Sequence, residues 1–321
     1  VMKLVLEELC LSAGVEIRFH TNVRAARVEK GRVTHAITES KSGREAWKAK
    51  VFIDCTGDGD FAALAGCGFD YGRPKDQATQ PMSLLALVGG VTFEEIQPFV
   101  RRGSENSSIT KAKLLSEIRR GGLNPTYQKP GIYPIHKDLF MLMANHEYGY
   151  KAFDADDLTK ATLDARTELW RIVDSLVSLG GRWENLRIIA TADHIGIREG
   201  RRIHGLYTVT QEDLLNGARF KDAVARVSFG VDVHSVEKDE DSTEKSYNRG
   251  IRSKPYDIPL RSLIAKDVDG LMMAGRCISG DFIAHSSYRV TGNAAAMGES
   301  AGRVAARAAL ANKLPQEVRI G

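Results

Sequence analysis

The segment from Leu271 to Ala306 constrains this chain more than any other. Leu271-Met272-Met273 is a short apolar run that ends abruptly in Ala274-Gly275-Arg276, the pattern of a buried strand opening into a loop. The loop carries Gly280, whose missing Cβ permits close backbone approach, and Asp281, a carboxylate that accepts hydrogen bonds from hydroxyls. Beyond Arg289-Val290-Thr291-Gly292-Asn293, the small residues from Ala294 to Ala306 read as a helix able to lie tightly on a sheet. A strand, an acidic loop and a helix N-terminus aimed at one spot suit a polyhydroxylated, electron-rich ligand.

A second stretch has the same character. Val51-Phe52-Ile53-Asp54-Cys55 reads as a buried strand and leads into Thr56-Gly57-Asp58-Gly59-Asp60. The two glycines let backbone amides approach a ligand, while Asp58 either caps the next helix or accepts from a hydroxyl. Taken alone, an ordinary strand-to-helix turn accounts for the pattern equally well.

Two further segments complete a set: Arg198-Glu199-Gly200-Arg201-Arg202-Ile203-His204-Gly205 and Pro255-Tyr256-Asp257-Ile258-Pro259-Leu260-Arg261-Ser262-Leu263-Ile264. In their order along the chain, the four segments resemble FAD-dependent oxidoreductases of the glutathione-reductase-like fold. The nearest resemblance is to the broad family whose bacterial members are often labelled xanthan-lyase-like. That resemblance implies an α/β chain, α+β in its middle. Residues 1–80 and 255–321 would form an FAD/NAD(P)-binding-like flavin domain, and residues 81–254 an inserted substrate domain. It implies FAD as cofactor, with Thr56, Gly57, Asp58, Gly59, Gly275 and Gly280 lining it and Asp281 on the ribityl chain. The helix following Gly292 and Asn293 would aim its amides at the pyrimidine edge, and Val23 would meet the adenine through its backbone. The implied reaction is hydride transfer between flavin and a small polar substrate such as an organic acid or carbohydrate. No Tyr/His/Arg constellation of a polysaccharide lyase is identifiable.

One element of a dinucleotide site is not in the sequence: a strand, a Gly-x-Gly-x-x-Gly turn and a helix receiving the pyrophosphate. The chain begins instead in a helix, Val1 to Cys10, stopped by Gly14. The expectation is an N-terminally truncated flavoprotein that binds FAD weakly or not at all. The competing reading is a non-catalytic binding or assembly module that keeps the fold without cofactor. A nicotinamide-dependent dehydrogenase is disfavoured by the same gap.

Candidate catalytic side chains are His285, Arg289, Arg198 and Arg202, with His204 behind them. An acid or base completes proton transfer beside a hydride transfer, and arginines hold carboxylates or polyols. Each has a structural alternative: the arginines around Glu199 also suit an ion-pair cluster between domains, and His204 suits a core position. His194 and His234 have no metal-ligand spacing, so no metal is expected.

Composition narrows the partners. The formal charge of +4 over 321 residues is small and dispersed, which argues against nucleic acid. No apolar run is long enough for a membrane span. Cys10, Cys55, Cys67 and Cys277 lack Cys-x-x-Cys spacing and suggest reduced thiols in a cytoplasmic protein. The expected partner is a small-molecule substrate, in a monomer or a homo-oligomer. Along the chain, Val15–Phe19 and Pro81–Val88 are expected as strands, 23–29 and 33–38 as a hairpin, and 93–102, 109–120 and 158–179 as helices. The 103–108 stretch is expected as a flexible loop and the charged 236–248 stretch as exposed and mobile.

Overall fold

The computed structural model describes residues 2–101, 107–237 and 248–318. Most of the 103–108 and 236–248 stretches therefore lies outside the described residues. Helix α1 (Met2–Ser12) ends at Gly14, whose φ of +71° suits the left-handed exit of a helix. None of its residues is buried, and Met2, Leu4, Val5, Leu6, Leu9 and Leu11 are exposed. Val15–Phe19 was expected as a strand but is irregular, because no described strand lies alongside to take its backbone groups.

The hairpin forms as its turn residues dictate. Strands β1 (Asn22–Glu29) and β2 (Arg32–Ser40) pair antiparallel, and β3 (Gly43–Lys48) adds to β2. Lys30 and Gly31 both take positive φ, the conformation a tight hairpin turn requires. Strand β4 (Phe52–Asp54), helix α2 (Asp60–Leu64) and strand β5 (Phe69–Asp70) follow.

The middle of the chain builds its own layer pair. Strand β6 (Ala86–Gly89) leads to α3 (Phe93–Ile96), which a Thr92–Glu95 capping box opens. The helix expected to reach 102 gives way at Gln97–Phe99 to a 3-10 turn containing Pro98, which lacks the N–H needed to continue an α-helix. Then come α4 (Ser107–Arg120), β7 (Gly131–His136), β8 (Leu139–Met143), α5 (Ala155–Val177) and β9 (Arg187–Thr191). The four strands make an antiparallel sheet in the order β7-β8-β6-β9. Asp154 caps α5, accepting from the Asp156 and Asp157 amides, and Ala161, Ala165, Leu169, Ile172 and Leu176 form its buried stripe.

The remaining elements are β10 (Arg202–Ile203), α6 (Gln211–Asn216), β11 (Ala223–Val227), β12 (Tyr256–Pro259), β13 (Leu271–Met273), α7 (Phe282–Tyr288) and α8 (Thr291–Ala311). Buried apolar residues divide into two cores. One runs from Met82 to Ile195; the other gathers Val33 to Cys67 with Ile203 to Val304. Ile203, Val209, Leu214, Val227 and Val233 already pack in this second group, ahead of the return at 255 expected from the sequence.

The pairing that positions the site is short. Strand β13 lies parallel to β4, with Leu271, Met272 and Met273 opposite Phe52, Ile53 and Asp54. Leu271, Met272 and Met273 are all buried, each contributing about 1.5–3 kcal/mol by removal from water. Parallel strands release their following loops at the same end of the sheet. Helix α8 covers them with Met297, Ala301, Val304 and Ala308, a stripe spaced four, three and four residues apart. Among the described residues no helix is long and apolar enough to cross a membrane.

Candidate functional site

The loop after β4 is shaped by Asp54, a residue the sequence reading did not single out. Its Oδ1 accepts from the Thr56 amide at 2.9 Å and the Thr56 hydroxyl at 2.7 Å, and Oδ2 accepts from the Ala62 amide at 2.8 Å. An acid closing an apolar strand was the available signal. Gly57 and Gly59 sit at φ +86° and +67°, where a side chain is strained.

Asp58 is buried and faces the Arg276 guanidinium at 3.1 Å, so the loop after β4 is joined to the loop after β13. Burial pushes the Asp58 carboxyl up, against the opposing pull of Arg276. Arg201 closes the other side, donating to Asp58 O at 3.0 Å and to Asp60 Oδ1 at 2.7 Å. The Ala274 amide donates to Asp54 O at 3.0 Å and completes the junction. Cys277 is fully buried, and burial raises its thiol well above the usual range, which leaves it inert as a nucleophile.

Gly275 has φ +94°, and an added Cβ would lie 3.9 Å from Ala294 Cβ in the first turn of α8. Gly280 is small for a different reason than expected: a Cβ there would stand 2.5 Å from the Tyr288 ring, so the glycine admits an aromatic neighbour. Asp281 caps α7 through Ala284 N at 2.7 Å and holds Gln211 N at 2.6 Å. Both carboxylate oxygens thus carry a backbone bond, and each keeps a second acceptor site. Helix α8 starts at Thr291 with Val290 as its N-cap and no side-chain cap. Asn293 is therefore inside the first turn, not before it, and its Nδ2 donates to Ser287 O at 3.4 Å. Thr291 and Gly292 are exposed, leaving that helix end open.

Two clefts flank Phe153. One, of about 630 Å³, is lined by Val23, Thr56, Asp60 and Arg201; the other, of about 420 Å³, by Tyr71, Arg202, Asp281 and Phe282. Arg201 lies 4.2 Å over the Phe153 ring and was missed as a cleft residue, since nothing in sequence separates it from Arg198 and Arg202.

The expected catalytic side chains are mostly committed to the framework. Arg202 is buried and donates to Glu199 at 2.6 Å, Gly280 O at 3.1 Å and Gly72 O at 2.8 Å. Arg198 donates to Pro81 O at 2.6 Å and Ser83 Oγ at 2.9 Å. Arg289 donates to Asp232 O at 2.7 Å, and burial lowers its guanidinium to about 10. His204 is on the surface beside Asp70. His285 has no solvent exposure; burial, then Arg289, Arg202 and Arg276, hold it neutral, well below the ordinary 6.5.

Buried polar atoms almost always find a partner. Here both ring nitrogens of His285 and the Nε atoms of Arg201, Arg276 and Arg289 are buried without one among the described residues. Of these, Arg201 and Arg276 border the loop after β4, where an orphaned donor suits a polar ligand, while His285 and Arg289 belong to α7 and its end.

No curated protein matches the sequence. A geranylgeranyl bacteriochlorophyll reductase-like protein from Thermoplasma acidophilum is similar at 12% identity and a TM-score of 0.45, over 96% of this chain and 53% of that one. A triple mutant of the flavin-dependent brominase Bmp2 is similar at 13% identity and a TM-score of 0.43, over 95% and 55%. L-proline dehydrogenase from P. horikoshii is similar at 11% identity and a TM-score of 0.29, over 94% and 53%. The chain spans about half the length of these structures. The family model described as FAD dependent oxidoreductase matches residues 1–321, and the chain belongs to that family.

Proposed function

We propose that this chain carries the flavin-facing wall of an FAD-dependent oxidoreductase acting on a small polar substrate, an organic acid or a carbohydrate. In this reading residues 1–80 and 255–321 form the flavin side, with Ile203 to Val233 packed onto it, and the Met82–Ile195 core forms the substrate side. The observation that carries it is the parallel β4–β13 pair, which brings two left-handed glycine loops together under the Arg276–Asp58 bridge, beside the open end of α8.

The residues present fit the cofactor. Gly275 keeps the backbone bare where a ligand must come close, whereas Gly57 and Gly59 make room for the Arg276 guanidinium and the Ile203 side chain. Thr56, Val23 and Arg201 border a cleft wide enough for part of a dinucleotide. Gly292 and Asn293 present the first-turn amides of α8, whose partial positive charge stabilises an electron-rich ring edge. Asp281 keeps acceptor sites for ribityl hydroxyls. When bound, the flavin supplies a hydride acceptor or donor. The protein's own contribution is to orient that ring, to exclude water from His285 and to keep that imidazole neutral.

Titration of the purified chain with FAD, followed by flavin fluorescence, tests the reading. The expected result is weak, saturable quenching that falls about tenfold in Gly275→Val, equivalent to about 1.4 kcal/mol. Quenching unchanged by Gly275→Val, in a folded variant, would refute it. A chain that never takes up flavin favours the non-catalytic module.

A further inference from the structure

Strands β11 and β12 carry a charged cleft that the flavin wall does not use. They pair antiparallel, with Arg226 directly opposite Asp257. Residues opposed across a strand pair put their side chains on one face. The register slips between Ala223 and Ala225, and the carbonyl of the intervening Val224 accepts from Ser300 Oγ on α8 at 2.8 Å. A cleft of about 560 Å³ is lined by residues 219–221 and 223–226 together with Asp257. It shares no residue with the two clefts that flank Phe153.

The cleft is organised around one buried carboxylate. Asp257 is 3% exposed, so its charge needs partners. It has Arg219 Nε at 3.0 Å, Arg226 Nη1 at 3.4 Å and the Phe220 amide at 3.3 Å. Both arginines nevertheless stay open to solvent, with side-chain exposures of 63% and 50%. Each guanidinium carries five N–H donors in a fixed fork, far more between them than one carboxylate accepts. Lys221 brings an exposed third cation to the same cleft. The neighbouring acid, Asp222, is matched by Arg261 at 2.9 Å. The lining thus sets three cations against one carboxylate, an excess of two positive charges.

The other lining residues are apolar. Ala223, Val224 and Ala225 are half-buried, and the Phe220 ring is fixed by an edge contact with Tyr207 at 5.1 Å. An organic group therefore has surface to rest on beside the cations. Arginine forks match the oxygens of a phosphate, and Asp257 holds two of them in place beforehand. A phosphomonoester carries close to two negative charges at pH 7, which equals the excess; a carboxylate or a sulfate ester carries one.

We propose that this cleft binds a phosphomonoester borne by a small organic molecule. Arg219, Arg226 and Lys221 hold the phosphate, Asp257 orients the two guanidinium groups, and Phe220 with the small residues of β11 meets the organic part. The site stands apart from the oxidoreductase reading and binding requires no flavin.

The test uses the full chain labelled at its arginine nitrogens and titrated with phenyl phosphate. The Nε–Hε signals of Arg219 and Arg226 are the readout, assigned by their loss in Arg219→Met and Arg226→Met. Phenyl sulfate keeps the ring with one charge fewer, phenol has no charge, and inorganic phosphate has no ring. Phenyl phosphate is expected to shift both signals along one saturation curve, phenyl sulfate to bind about tenfold more weakly, and phenol to be silent. Arg226→Lys keeps the charge without the fork, and Lys221→Met lies outside the Asp257 pairs; each is expected to weaken binding about tenfold. Silence of phenyl phosphate, equal binding of phenyl sulfate or inorganic phosphate, or a response untouched by both variants would overturn the proposal. Binding confined to phosphatidylcholine vesicles that carry phosphatidic acid, with phenyl phosphate silent, would overturn it in favour of a lipid surface.

Discussion

Replacing Arg202 by Met separates a framework role from a catalytic one. The Arg202–Glu199 pair has side-chain exposures of 2% and 0%, and Arg202 also ties Gly280 O and Gly72 O across the smaller cleft. Removing one partner of a fully buried pair strands the other charge, at a cost of about 3–5 kcal/mol. Glu199→Gln costs less, about 1–3 kcal/mol, because an amide oxygen still accepts from Gln80 N, which now meets Glu199 at 3.0 Å. The double variant Arg202→Met/Glu199→Gln removes both charges, so its loss is expected to be smaller than the sum of the single losses. Urea denaturation of the four proteins gives the coupling energy directly. A loss below about 1 kcal/mol in Arg202→Met, or strict additivity in the cycle, would refute the buried-pair argument.

His285 is expected to make the unfolding free energy fall as pH drops. Its folded form stays neutral while the unfolded imidazole binds a proton below the ordinary 6.5, so stability is full above that pH and is lost below it by up to about 1.4 kcal/mol per unit. His285→Leu should flatten that slope in urea melts taken at successive pH values. Gly275→Ala should cost about 1–2 kcal/mol in the same melts, from the left-handed φ alone, since its Cβ has room. Asp54→Asn should cost about 1–3 kcal/mol, because an NH₂ must replace one of two acceptor oxygens facing donors; amide exchange at Thr56 and Ala62 should rise with it.

Much of the scaffold was readable from local rules. The hairpin follows from a Lys30-Gly31 turn between alternating strands, and α5 from a long apolar stripe with an Asp cap. Both glycine loops were visible as breaks after apolar runs. What put them together, the β4–β13 pairing, is a contact between residues far apart in sequence, which no window contains. Helix α7 was missed because Phe282–Tyr288 is short and buried from Ala284 to Tyr288, so no amphipathic period betrays it. The roles of Arg202 and Arg289 were read from their chemistry, whereas carbonyl oxygens and carboxylates brought in by the fold occupy much of their donor capacity.

The central claim is that the loops after β4 and β13 and the start of α8 form one surface for a single flavin. Backbone amide spectra of the labelled chain, recorded as FAD is added, test it most directly. The account predicts that Thr56–Gly59, Gly275 and Gly292–Asn293 move together along one saturation curve. Shifts that follow separate curves, or that leave one of the three groups still while FAD binds elsewhere, would contradict it.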